Sequence, residues 1–361
     1  MRWSLTIAEV RGIRIQVHVT FVLLIAWIAL SYWQLTHTVS AVLDGVGFIF
    51  ALFACVVLHE LGHALTARRF GIRTRSITLL PIGGVAAVEK MPDDPRLEIV
   101  IALAGPVVSL AIALALYLFL QATGSLVDLA ELGVSGGPFL QRLMIVNILL
   151  AVFNLLPAFP MDGGRVFRAL LSLRLGNLAA TRVAASVGQA MALLFALLGL
   201  LYNPFLFLIA VFIWIGAATE AGTAGIRYAL ADVRAADAML TEFHSLAPGD
   251  SLAHAVQLTL AGSQKDFPVI EGEAVVGVLT QADMLRGLQS LGGEARVGSA
   301  MQAAPARVAH DQPMTEVLDR LQETPARLAV VMDGPRAAGL IDLDNVLELI
   351  RIQAARSARR L

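Results

Sequence analysis

A single cysteine, Cys55, stands in a chain of 361 residues. That scarcity excludes a disulfide framework and any cysteine-based zinc finger or cluster. Charge is scarce as well: Asp, Glu, Lys and Arg make up 15% of the chain, where soluble globular proteins carry about 25%. The net charge of −1 supplies no bulk basic field, so no nucleic-acid partner is expected. Lysine is almost missing, because Arg provides 25 of the 27 basic residues, a bias that fits a GC-rich bacterial genome. What fills the chain instead is apolar. Hydrophobic residues reach 57% and the mean hydropathy is +0.73, which excludes disorder, collagen and an ordinary cytosolic enzyme and points to a membrane protein.

The average hides a split. Residues 1–226 hold 14 Lys+Arg and 11 Asp+Glu, whereas the much shorter 227–361 holds 13 and 17. Charge is therefore far denser in the second part, and the sign of the balance changes from basic to acidic. The expected architecture is a polytopic α-helical membrane domain over 1–226 followed by a soluble α/β unit over 227–361. A span needs roughly 20 mostly apolar residues, and six stretches qualify or nearly so: 17–33, 46–66, 99–120, 139–158, 183–201 and 204–219. The last is short, and the fourth is interrupted by Pro157 and Pro160. Arginines set the orientation. Arg2, Arg11 and Arg14 precede the first span; Arg68, Arg69, Arg73, Arg75, Lys90 and Arg96 lie between the second and third; Arg165, Arg168, Arg174 and Arg182 follow the fourth. The 34–45 and 121–138 loops have no Lys or Arg, and only Arg142 falls on the wrong side. Six crossings with both termini in the cytoplasm follow, in a bacterial inner membrane.

Inside the second span the chain reads His59-Glu60-Leu61-Gly62-His63. Positions i and i+4 share a helix face, so the two histidines can chelate one ion. Glu60 lies between them, placed to accept a proton from water at the ion without being a ligand. An ionisable residue at mid-span costs about 2.5–3.5 kcal/mol on insertion scales and is a functional candidate by default; three in five positions are hard to explain as packing. Catalytic zinc needs a third protein ligand and an open position. Among the acids after residue 97, Glu98, Asp128, Glu131 and Glu220 fall near span ends or in loops. Asp162 is the exception, in Asn154-Leu-Leu-Pro-Ala-Phe-Pro-Met-Asp162-Gly-Gly-Arg165, where two prolines and two glycines break the helix. Irregular backbone at membrane depth is tolerated where it lines a cavity or is buried in protein; the plain alternative is an Asp-Gly turn at a span end. Spans two and four enter the membrane from the same side, so His59 and the broken segment reach similar depth.

His-Glu-Leu-Gly-His in a span, the later Asn154–Arg165 segment, and Ala104-Gly105-Pro106 between them resemble the site-2 protease family of intramembrane zinc metalloproteases, in its sporulation-type branch with a six-span core and a C-terminal CBS pair. The resemblance implies zinc held by His59, His63 and Asp162, with Glu60 as general base and Asn154 positioning substrate or stabilising the intermediate. One departure is Ser109, where family members often carry Asn. The substrate implied is a membrane-tethered protein, such as a transcription factor, an anti-sigma factor or a signal-peptide remnant. A substrate helix must unwind before attack, and Leu79–Val88 reads as strand–turn–strand, either an ordinary loop hairpin or an edge on which an unwound segment could pair by strand addition.

The second half repeats at an offset of 62, in copies at about 232–292 and 294–354. Phe267-Pro-Val-Ile270 aligns with Ala329-Val-Val-Met332, and Gly277-Val-Leu-Thr280-Gln-Ala-Asp283 with Gly339-Leu-Ile-Asp342-Leu-Asp-Asn345. Two such copies bury a core that one could not. The repeat resembles a tandem CBS pair, which implies ATP, ADP or AMP as a regulatory ligand held by Thr280 and Asp283, and homodimers through the pair. Asp342 replaces a hydroxyl in the second copy, so at most one competent nucleotide site is expected. A CBS-bearing channel or transporter is the competing class, and a proteolytically dead scaffold the third; bound zinc and the intact Glu60 separate the protease from both.

Overall fold

The computed structural model describes residues 3–81, 83–88, 94–127, 137–262, 264–324 and 326–358; Arg2, Ile82, Lys90, Asp128 and Glu131 lie outside them. The described residues form two compact units, Met1–Gly222 and Thr223–Leu361.

The first unit opens on a hairpin that hydropathy alone does not announce: β1 (Ser4–Val10) pairs antiparallel with β2 (Ile13–His18). α1 (Val19–Thr36) follows, its first turn capped by the His18 ring, and ends at His37 in the left-handed conformation. α2 (Val39–Arg69) is 31 residues long, about 46 Å at roughly 1.5 Å per residue, so it overruns the expected 46–66 at both ends. Arg68 and Arg69 close it, where cations favour the helix dipole. β3 (Thr74–Leu80) and β4 (Gly83–Val88) form an antiparallel pair, the strand–turn–strand expected there. β3 also runs parallel to β2, giving one sheet in the order β1-β2-β3-β4. This sheet lies on the zinc-motif helix: Ile13 and Ile77 pack with Leu61 and Ala64 of α2.

α3 (Pro95–Ala122) starts with Asp94 accepting from Arg96 N at 2.9 Å and Pro95 in the first turn, a favoured start because proline has no N–H to leave unpaired. α4 (Phe139–Asn154) has only 16 residues. Pro157 cannot continue the hydrogen-bond ladder, so the fourth expected span stops four residues early and falls below the usual spanning length. α5 (Asp162–Leu175), α6 (Asn177–Leu201) and α7 (Pro204–Ala229) complete the series. Among the described residues five helices, α1, α2, α3, α6 and α7, are long and apolar enough to cross a membrane. Of the six expected crossings, five correspond to these long helices; the remaining stretch, 139–158, corresponds to the 16-residue α4, which is shorter than a usual span. Arg142, the arginine that breaks the orientation pattern, donates to Asp44 Oδ2 at 2.6 Å and stacks over the Phe48 ring at 4.9 Å. Its charge is paired within the fold.

In the second unit, α8 (Ala235–Ala238) and α9 (Leu252–Ala261) lead into the antiparallel hairpin β5 (Phe267–Glu271) and β6 (Ala274–Leu279). α10 (Gln281–Leu291), α11 (Val297–Ala300), β7 (Gln302–Ala303) and β8 (Ala306–Ala309) follow. α12 (Met314–Glu323), β9 (Leu328–Asp333), β10 (Arg336–Asp342) and α13 (Leu343–Ala358) end the chain. The repeats cross over each other. Gln302 pairs with Val278 of β6. Leu240, the counterpart of Gln302 in the first copy, pairs with Leu340 of β10, the counterpart of Val278 in the second. The segment leading into each copy thus completes the sheet of the other. Val275 and Val278 share a core with Leu328, Val330 and Leu340.

Candidate metal centre

α2 presents His59 and His63 one turn apart, and the break after α4 returns the chain so that α5 begins at Asp162. Two glycines make that return possible. A Cβ on Gly163 would lie 2.3 Å from the Leu155 carbonyl, and one on Gly164 would lie 2.5 Å from the Ala158 carbonyl carbon, so only bare backbone fits. Phe159, 1% exposed, anchors the loop against Ala184, Ala185 and Ala217.

The geometry brings His59, His63 and Asp162 together. His59 Nε2 and His63 Nε2 are 3.2 Å apart, and each is 3.2 Å from Asp162 Oδ2. Tetrahedral donors at about 2.0–2.1 Å from zinc lie about 3.3–3.4 Å from one another, so the triangle has the edge length of one face of a zinc tetrahedron. The donors have the right chemistry too. His63 Nδ1 donates to the Ile101 carbonyl at 2.7 Å; a carbonyl only accepts, so Nε2 carries the lone pair and faces the other two donors. His59 Nδ1 lies 2.9 Å from Ser109 Oγ. Such outer partners orient ligating histidines. Among the described residues this is the one cluster of three or more such groups able to hold a metal ion, and it fits zinc.

The triangle opens onto a cavity of about 590 Å³ whose walls include Glu60, Asn154, Gly84, Ala86 and Phe212. Glu60 stands beside the ligands and against β4, where a Cβ on Gly84 would lie 2.7 Å from its Cγ. Asn154, the last residue of α4, lines the cavity and donates one amide hydrogen to the Leu150 carbonyl at 3.0 Å. Glu98 and Arg165 also line the space. Glu98 is 4% exposed and accepts from Arg168, a buried pairing between α3 and α5 that the sequence placed only at a span end. Cys55 is buried and is not part of the cavity wall.

Sequence reasoning singled out Ala104-Gly105-Pro106 and Ser109 but missed how α3 holds the ligand rings. Ile101, Gly105 and Ser109 sit four residues apart, one stripe of a helix, and face His63, the space between the rings, and His59. A Cβ on Gly105 would lie 2.1 Å from His63 Nε2 and 2.6 Å from His59 Nε2. Ser109, noted above as a departure from the family pattern, is fully buried and bonded to a ligand ring.

In the second unit the Thr280 hydroxyl caps α10, accepting from Asp283 N at 3.2 Å. Asp283 accepts from Thr280, Arg286 and Gln302, the last at 2.7 Å. Burial alone would raise the Asp283 carboxyl, but these hydrogen bonds outweigh it and hold the group below its ordinary value. In the second copy Asn345 N donates to Asp342 Oδ1 at 2.8 Å, so the aspartate takes the capping place of the threonine. Asp266 is raised by burial, reinforced by the nearby charges of Asp342 and Asp283.

Comparison with known proteins agrees with both halves. The model of peptidase family M50 matches residues 47–135 and 127–198, and the CBS domain model matches 233–290. A zinc metalloprotease of Methanocaldococcus jannaschii is 33% identical over 354 residues, covering 98% of this chain and 97% of that one. Stage IV sporulation protein FB of Bacillus subtilis is 31% identical over 150 residues, 41% of this chain and 46% of that one. A solved structure of a site-2 protease from Methanocaldococcus jannaschii is 38% identical, covers 61% of this chain and 95% of that one, and superposes with a TM-score of 0.47.

Proposed function

From the premise that the chain belongs to peptidase family M50, and is an integral-membrane zinc metalloprotease of the site-2 type carrying a CBS domain, we propose that it hydrolyses peptide bonds in or near membrane segments of tethered proteins at the His59–His63–Asp162 centre. The observation that carries this reading is the 3.2 Å triangle of ligand atoms with Glu60 beside it on one cavity wall.

Zinc, when bound, acidifies water from a pKa of 15.7 toward about 7 and polarises a carbonyl. The protein's own groups do the rest. Glu60 accepts the proton of the attacking water and returns it to the leaving amine. Asn154 offers its second amide N–H to the oxyanion. β4 is the edge of its sheet, and Gly83, Gly84 and Ala86 line the cavity. Its unpaired backbone side can hold an unwound substrate by main-chain hydrogen bonds. The test is a single-span reporter incubated with the full chain in detergent. Cleavage is expected within the apolar segment, lost on metal chelation and restored by zinc. Cleavage that persists in the chelated enzyme sinks the metalloprotease reading. An unchanged rate with Val85→Pro or Ala87→Pro sinks the pairing at β4.

The finer assignments belong to the same proposal: a bacterial inner membrane, both termini cytoplasmic, and two chains joined through their CBS units. Protease accessibility of terminal tags and native mass in detergent check these. The second unit binds at most one adenine nucleotide, at Thr280 and Asp283, because Asp342 opposes a phosphate at the equivalent position. Calorimetric titration of the full chain with ATP, ADP and AMP is expected to give one site, lost in Asp283→Ala. Two sites would overturn the limit of one, and none would overturn the nucleotide ligand itself.

A further inference from the structure

The two ligand histidines are oriented by partners of different kinds. His63 is held by a backbone carbonyl, that of Ile101, at 2.7 Å. No side-chain substitution at that position removes this oxygen. His59 is held by a side chain, the Ser109 hydroxyl, at 2.9 Å. A hydroxyl donates as well as accepts, so it serves His59 with the proton on either ring nitrogen. Ser109 is 0% exposed in a helix that is otherwise apolar around it. Other hydroxyls in these helices bond back to the carbonyl four residues earlier, as Ser31, Ser186 and Thr219 do, the common habit of serine and threonine within a helix. The Ser109 hydroxyl instead reaches across to a ring on another helix.

We propose that Ser109 is a positioning residue: its oxygen accepts from His59 Nδ1–H and thereby turns the Nε2 lone pair toward Asp162 and His63, so residue 109 sets how tightly the centre keeps its metal. The inference rests on the zinc reading of the centre. It makes α3 the tuning element of the site. Its backbone fixes one ligand in every sequence, and its side chain at 109 adjusts the other. Residue 109 is not itself a cavity-lining residue and reaches the site only through the His59 ring, so its effect runs through the metal.

The experiment is zinc affinity of the full, detergent-solubilised chain, read by competition with a chromophoric chelator, alongside the melting temperature of the metal-free protein. Ser109→Ala is expected to raise the zinc dissociation constant by about 10–100-fold, the size typical of losing such a partner, with the metal-free melting temperature unchanged. Ser109→Thr, which restores a hydroxyl, is expected to return affinity to within about threefold of wild type. Wild-type affinity in Ser109→Ala overturns the inference. So does weakened binding that Thr fails to restore and that a fall in metal-free stability accompanies, because that marks a packing role. A wild-type chain that takes up no zinc, or binds it equally well with His59→Ala, overturns the metal site itself and is told apart by that control.

Discussion

Glu60→Gln is expected to lower reporter cleavage by about 10²–10⁴-fold, the range a positioned general base contributes, while leaving one zinc per chain. Gln matches Glu in volume and keeps the contact with β4, where Gly84 leaves room for the side chain. It cannot accept a proton, so only the base is removed. Zinc retention is expected because Glu60 is not one of the three converging donors. Initial rates on a single-span substrate, with metal content measured on the same samples, separate the possible results. Equal rates in wild type and variant would reject Glu60 as the base. A variant that loses both metal and activity would instead place Glu60 among the groups holding the ion.

How much of this is legible in the sequence depends on how local each feature is. His59 and His63 are four residues apart on a helix that hydropathy outlines well, so their common face is readable from spacing alone. Asp162 is readable from its surroundings, because prolines and glycines at membrane depth mark backbone that must be buried or line a cavity. The structure adds what no residue-type signal carries. The Ile101 carbonyl is anonymous in sequence, and Gly105, though part of a recognisable Ala-Gly-Pro, shows its steric role only once the two rings are seen beside it. The hairpin over residues 4–18 is invisible for a similar reason: β2 is held in part by β3, which follows only after two long helices, and its alternation is weak.

Span boundaries shift in both directions for physical reasons. The stretch ending near 219 looks short because Glu220 lowers the hydropathy. In the structure Glu220 pairs with Arg165 at 3.3 Å, and α7 continues to Ala229. The fourth stretch looks long enough through residue 158, but Pro157 stops the ladder and α4 ends at Asn154. The repeat at offset 62 is readable, whereas the exchange that pairs Leu240 with Leu340 and Gln302 with Val278 needs the fold.

Gly105→Ala is expected to empty the metal centre with a single methyl group. The added Cβ would stand 2.1 Å from His63 Nε2 and 2.6 Å from His59 Nε2, inside any real contact distance, so the rings or the helices must move. The helices have little room. On the facing side a Cβ at Gly62 would already meet Val108 at 2.8 Å and the Ala104 carbonyl at 2.9 Å, so α2 and α3 touch through glycines at both levels. The rings therefore give way, and the 3.2 Å triangle opens. Zinc affinity is expected to fall by more than about 100-fold, beyond the loss of one outer partner, and cleavage to fall with it. Helix propensity pushes the other way, since alanine is better than glycine by about 1 kcal/mol in a helix interior. Gly47→Ala is the control, a glycine of α2 with nothing within 4 Å of its Cβ, expected to keep metal and activity. A Gly105→Ala chain that binds zinc as tightly as wild type would show that α3 does not back the ligands as the geometry requires.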